Sequence, residues 1–382
     1  MELPVLTIDQ LRNAVQGDRI DTVLLAVTDM QGRLQGKRLT ARHFLDGVLA
    51  HGAEAFDDFE MVPDLDTLRP VPWHEGTVLC LADLRWAGGE PVIASPRRIL
   101  RRQLERLSER GLEAFAGTAL EFIVFQGTYE EAFEKGYRDL RPATVDSSLL
   151  GTSRIGPLLR RIRKQMGAAG MVVESSGPHG VTFRTGPALR IADEHSIYKT
   201  GAKEIAAQEA MAITFMASYD EREASSCHIQ MSIRDLDDAG FDRVVAGQLA
   251  CLRELTLMYA PTINSYKRLA AAPATVAWVV GHKESRRFEL RLAGSDVNPY
   301  LALAAMIASA LHGLDREFEG ADKPHVPRTL SEARELFAAS PVAREAFGDE
   351  LVEHCVDNAR VELEAFESFV TDWERARGFE RL

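Results

Sequence analysis

Three stretches of this chain read as β-strands and yet carry ionisable residues inside apolar runs. They are Ala114 to Phe125 with Glu121, Ser226 to Ile233 with His228, and Arg287 to Leu292 with Glu289 and Arg291. A buried polar or charged group is costly unless it finds a partner, so the fold must bring these groups together or open a site around them. Side chains alternate along a strand. Glu121 therefore shares a face with Ala119 and Ile123, His228 with Gln230, and Glu289 with Arg291. If the three strands lie in one sheet, Glu121, His228 and Glu289 converge, and two carboxylates with an imidazole suit a divalent cation such as Mg or Mn. The same residues also fit a plainer reading, in which Glu121 pairs with Arg291 and His228 hydrogen-bonds inside the core. Cys227 and His228 point to opposite faces, which argues against a nucleophile–base pair.

The segments around these strands do not alternate in a βαβ pattern, which favours an α+β chain with a mainly antiparallel sheet. The spacing predicts a hairpin from Asp21 to Ala41, a helix near Ala41 to Ala50, and a second hairpin from Gly76 to Ala94 turning at Ala87 to Pro91. Ser95-Pro96 reads as a helix start. The division is therefore placed there, with a small strand-rich domain over 1–95 and a larger one over 96–382. Further helices are expected over Arg154 to Gln165, Ala188 to Glu209, Asp242 to Tyr259, Asn298 to Leu314 and Val356 to Trp373. Further strands are expected over Met171 to Glu174, Gly180 to Thr185 and Met211 to Met216.

At 382 residues, 46% of them hydrophobic, the chain can fill a large core. Its 45 Lys and Arg against 57 Asp and Glu give a net charge of −12, which repels nucleic acid and anionic membranes. Cys80, Cys227, Cys251 and Cys355 form no CxxC pair, and no run approaches the ~20 apolar residues of a membrane span. With no leader-like N-terminus, a cytoplasmic location is expected. No Walker, Rossmann, HExxH or GxSxG signature is present, so any nucleotide site is of another kind.

Thr28-Asp29-Met30-Gln31-Gly32-Arg33, Leu68-Arg69-Pro70-Val71-Pro72-Trp73, Glu121-Phe122, Tyr198-Lys199-Thr200-Gly201-Ala202-Lys203-Glu204, Ser225-Ser226-Cys227-His228, Asn264-Ser265-Tyr266-Lys267-Arg268 and Asp296-Val297-Asn298-Pro299-Tyr300 follow one another in an order that resembles the glutamine synthetase family, most closely its γ-glutamyl-amine (polyamine-type) ligases. The resemblance implies a β-grasp-like N-terminal domain and a larger catalytic-type domain with a curved antiparallel sheet flanked by helices. It also implies a homo-oligomeric ring, a dodecamer by analogy with bacterial members, with active sites between neighbours. The implied chemistry is ATP-dependent phosphorylation of a carboxylate followed by displacement of phosphate by ammonia or an amine, with divalent cations at the phosphates.

Carried over position by position, the resemblance assigns Glu121, His228 and Glu289 to a cation, Arg268 and Arg291 to the acid substrate, and Arg287 and Gln230 to the nucleotide. Several family positions are changed. Ala119 stands where the first of two metal-binding glutamates is expected, and Gly180 stands for another. Gln230 replaces a histidine. The stretch from Ala270 to His282 lacks the flap and arginine segment of the family, and the loop between Ala53 and Pro63 is short. These departures lead to the expectation of a degenerate relative that binds at most one Mg or Mn, with doubtful ATP use, and serves as scaffold, sensor or partner of an active paralogue. The alternatives are a repurposed ligase or transferase joining a different acid and amine, and an active γ-glutamylamide or glutamine synthetase.

Overall fold

In the first sheet the apolar residues of two strands face both ways. In β1 (Thr22–Thr28), Val23, Leu25 and Val27 enter one core while Ala26 enters another, and in β6 (Thr77–Trp86) Val78, Cys80 and Ala82 oppose Leu79 and Leu81. Strands buried on both faces read as continuous apolar runs, and these two pair in parallel from Thr22↔Thr77 to Ala26↔Leu81. β2 (Leu34–Thr40) closes the predicted hairpin on β1; β3 (Glu54–Phe56), β4 (Phe59–Pro63) and the short β5 (Arg69–Pro70) complete a sheet of order β2-β1-β6-β4-β3, with β5 also on β6. A helical crossover from Ala41 to His51 includes a π-helical turn at Phe44–Val48, and Phe44, Leu45 and Val48 pack beneath the sheet. The expected second hairpin is only half formed. β6 is its first arm, but the returning segment makes a single bridge, Arg85 with Pro91, flanked by Trp86 N donating to Glu90 O and Val92 N to Leu84 O. The computed structural model describes residues 6–143, 148–221, 224–271, 277–281, 286–316, 318 and 326–381.

The second sheet runs β11 (Gly186–Pro187), β7 (Glu113–Leu120), β13 (Cys227–Arg234), β15 (Arg287–Leu290), β14 (Ala277–Val280), with every pairing antiparallel. The run expected as one strand from Ala114 to Phe125 is two. β7 stops at Leu120, where Glu121 N donates to Ser226 O and Phe122 N to His179 O; β8 (Ile123–Gln126) then pairs with β12 (Met211–Thr214). A ribbon of β9 (Val173–Gly177) and β10 (Gly180–Phe183) lies against the end of β7.

Helices Ala188–Gln208 and Pro299–Asp315 are buried on nearly all sides. The helix expected over Asp242 to Tyr259 splits into Asp238–Cys251 and Thr256–Tyr259, and the C-terminal one into Asp349–Glu367 and Asp372–Gly378. In the second case Thr371 caps a new helix with Glu374 in a capping box, which stops the first from running on. The helix beginning at Pro96 anchors the first sheet to the rest. Its Arg97, 3% exposed, donates to Asp193 at 3.0 and 3.1 Å, to Asp83 at 3.1 Å and to Asp64 at 2.7 Å.

Candidate active site

β13 lies between β7 and β15, and this order brings the polar residues of β13 and β15 together. Gln230 sits opposite Glu289 across β13 and β15, and its Nε2 donates to Glu289 Oε2 at 3.0 Å. Arg291 Nε donates to Glu289 Oε1 at 2.6 Å, and His228 Nδ1 lies 3.6 Å from the same oxygen. Glu289 is thus 4% exposed but fully engaged, as a buried carboxylate must be. Glu121 stands apart. Ser226 holds its Oε2 through the backbone N–H at 2.7 Å and the hydroxyl at 2.6 Å. The plainer expectation that Glu121 pairs with Arg291 is therefore replaced by two separate pairs, Glu121 with Ser226 and Glu289 with Arg291.

His228 is the electrostatic centre. Burial and the charge of Arg291 pull its imidazole below the ordinary histidine value, against the opposing pull of Glu289 and Glu121, with Arg268 adding to the depression. A neutral imidazole can accept a hydrogen bond or ligate a cation. Arg268 is 8% exposed, and its Nη1 donates to Leu292 O at 2.9 Å and its Nη2 to Arg291 O at 3.3 Å, so it braces the segment that presents Arg291. Arg287 lies two residues from Glu289 on β15, and its Nε is buried with no hydrogen-bond partner among the described residues. Three guanidiniums thus accompany two carboxylates. The excess positive charge suits an anionic substrate group.

The cation assigned to Glu121, His228 and Glu289 has no ready-made cage. Among the described residues no three His, Cys, Asp or Glu side chains stand in a metal-holding arrangement. An ion at His228 and Glu289 would also compete with Arg291 for Glu289 Oε1. Gly180 explains one departure physically: a Cβ there would lie 2.5 Å from Leu120 O, so this backbone admits no side chain at the position. Of the altered stretch from Ala270 to His282, 272–276 and His282 lie outside the described residues.

The residue that sequence reasoning passed over is Ser226. Its parity with His228 and Gln230 was the available signal, since positions 226, 228 and 230 share a face. Behind it, Ser295 Oγ donates to Ser226 O at 2.9 Å and Lys199 Nζ to Ser295 O at 2.9 Å. Burial lowers the Lys199 amine to about 8.

Residues 93–377 match the family model described as glutamine synthetase, catalytic domain. The chain belongs to the glutamine synthetase family. It is 49% identical to the γ-glutamylethanolamide synthetase GlnA4 of Streptomyces coelicolor, over 99% of this chain and 97% of that protein. It is 30% identical to a glutamate–isopropylamine ligase of a Pseudomonas species, over 96% and 97%. A solved structure of GmaS in complex with ADP superposes with a TM-score of 0.83 at 21% identity, covering 97% of this chain and 99% of that one, and so shares the fold. These relatives place the chain with the γ-glutamyl-amine ligases of the glutamine synthetase family, whose members generally use ATP and divalent metals and are typically oligomeric. The alignment with the Streptomyces protein runs over 447 positions whereas this chain has 382 residues, so at least 65 positions have no counterpart here. Among the described residues no helix is long and apolar enough to cross a membrane.

Proposed function

We propose that this chain is an ATP-dependent carboxylate–amine ligase of the γ-glutamylamide type, with its site at the His228 cluster. The observation that carries the reading is the gathering of His228, Gln230 and Arg291 about Glu289, with Arg268 bracing the Arg291 segment, in a chain 49% identical to a curated γ-glutamylamide synthetase. That identity favours a working ligase over the degenerate relative expected from the missing positions. In this reading Arg291, held by Glu289, meets the acid, Arg268 fixes the segment carrying it, and Arg287 serves the nucleotide. Gln230 acts by orienting Glu289. ATP supplies the phosphoryl group that activates the acid, and the amine nitrogen displaces phosphate with loss of a proton. Glu121, His228 and Glu289 form no metal-holding group among the described residues, so no step of the proposal is routed through a Mg or Mn at these three. The division at residues 95 and 96, a homo-oligomeric ring and a cytoplasmic location belong to the proposal.

The test is phosphate release by the purified full chain with ATP, Mg or Mn, glutamate and a panel including ethanolamine and isopropylamine, with the amide identified by mass. Glu289→Ala should lose on the order of 100-fold in turnover, since it removes the anchor of a charge aimed at the reacting groups. A second reading, a nucleotide-silent scaffold or sensor partnered with an active paralogue, is favoured by the 65 unmatched positions. Calorimetric titration with an ATP analogue, with and without Mn, separates the two. No heat at millimolar nucleotide would sink the ligase reading.

A further inference from the structure

A cavity lined by none of the His228 cluster lies between the first sheet and helix Ala188–Gln208. Its volume is about 160 Å³. Leu24, Leu34, Val71, Leu79 and Ile197 give it an apolar body, with Trp73 at one wall. An apolar protein cavity of about 150 Å³ is known to take a benzene-sized guest.

The polar part of the lining holds three cations, Lys37, Arg38 and Arg69, beside the neutral Gln35 and Thr200. The one carboxylate among its described lining residues, Glu204, already accepts from Trp73 Nε1 at 2.6 Å and lies 3.3 Å from His74 Nε2. Lys37 is held by Glu54 at 2.9 Å. Arg69 differs from both. It is 7% exposed, and its Nε donates to Thr67 O at 3.2 Å. Its Nη1 stands 3.9 Å from Glu194 Oε1, an oxygen that already accepts from Arg190 at 2.8 Å. Neither terminal nitrogen of Arg69 makes a hydrogen bond among the described residues. No Arg69 nitrogen is among the fully enclosed unpartnered atoms, so a largely buried guanidinium keeps reachable donors beside an apolar chamber, which is more than a core needs. Such donors are a good way to receive a carboxylate.

We propose that this cavity is a binding site for a small amphipathic monocarboxylate, of branched aliphatic or single-ring bulk, with its carboxylate on Arg69 and its body on Leu24, Leu34, Val71, Leu79 and Ile197. Ligand in this position would bridge the first sheet and the helix that carries Lys199, whose ammonium leads through Ser295 and Ser226 to Glu121. The site does not rest on the ligase reading.

Calorimetric titration of the full chain with 4-methylpentanoate and with benzoate tests it directly, without any activity assay. Saturable binding is expected, weakened about tenfold or more for the neutral isostere 4-methylpentan-1-ol, because a charge-assisted contact is lost. Arg69→Met should cause a similar loss with the acid, and Leu24→Trp should block binding by filling the chamber. Arg291→Met should leave binding unchanged. Should Arg69→Met fail to fold, the alcohol and Leu24→Trp decide the matter. The proposal is overturned if the folded wild-type chain shows no binding at about 10 mM acid, where affinity would be too weak to matter. It is likewise overturned if the alcohol binds as tightly as the acid, or if the loss follows Arg291 rather than Arg69.

Discussion

His195 is 3% exposed, and burial, aided by the nearby charge of Lys199, pulls its imidazole down to about 3. The unfolded chain protonates this group near pH 6.5 while the folded chain resists until about 3, so its contribution to stability is complete above pH 6.5 and declines as the pH falls. The slope from one such proton is at most about 1.4 kcal/mol per pH unit. Urea unfolding between pH 6.5 and 5 should show this slope flattened in His195→Asn, whose amide can keep a bond to Thr118; an unchanged slope would remove His195 as the cause. Gly180 gives a second test. Gly180→Glu should not restore a family ligand but should destabilise the chain by about 1–3 kcal/mol, since its Cβ would press on Leu120 O. At this scale the sequence was informative about which groups would meet, because strand parity fixes faces. It was silent about who would bond to whom: Glu289 rather than Glu121 won Arg291, which follows it by two residues just past the end of β15.

Between elements, the contacts that matter most are close approaches and shared charges. Helices Asp238–Cys251 and Pro299–Asp315 meet at Gly247 and Gly313, where a Cβ on Gly247 would stand 2.4 Å from Ser309 O and 2.6 Å from Gly313 Cα. Gly247→Ala should therefore cost about 1–3 kcal/mol by overpacking, read from the urea midpoint at constant m-value. Arg97 is the charged counterpart. Arg97→Met leaves Asp193 buried against Tyr300 alone and should cost about 3–5 kcal/mol, whereas Arg101→Ala, at a 36% exposed side chain, should cost less than about 1 kcal/mol. Equal costs would mean that burial is not what gives the Arg97 network its weight. The existence of these elements was legible from apolar periodicity and from Ser95-Pro96. The break at Glu121 was not, because it depends on hydrogen bonds to Ser226 and His179, remote in sequence, whereas the break at Thr371 carries a local Thr-x-x-Glu capping pattern.

Across the whole molecule, the first sheet belongs to two cores at once. Ala26, Val71, Trp73, Leu79 and Leu81 pack in the large core with residues of both helices Ala188–Gln208 and Pro299–Asp315, and Arg97 spans the same boundary. Shared burial of this kind couples unfolding. Calorimetry should therefore give one transition, with matching calorimetric and van't Hoff enthalpies, for 1–95 and 96–382 together; two resolved transitions would show that the boundary is a true seam.

The sequence by itself determined the family, the α+β class, the face shared by His228 and Gln230, and the face shared by Glu289 and Arg291. Those properties follow from motif order and from the two-residue period of a strand, which are local. Only the tertiary structure decided that Ser226 holds Glu121, that Gly180 has no room for a side chain, and that Arg69 faces an apolar chamber between the first sheet and a helix more than 100 residues further along the chain. Each depends on the distance between segments remote in sequence, and that distance is set by packing.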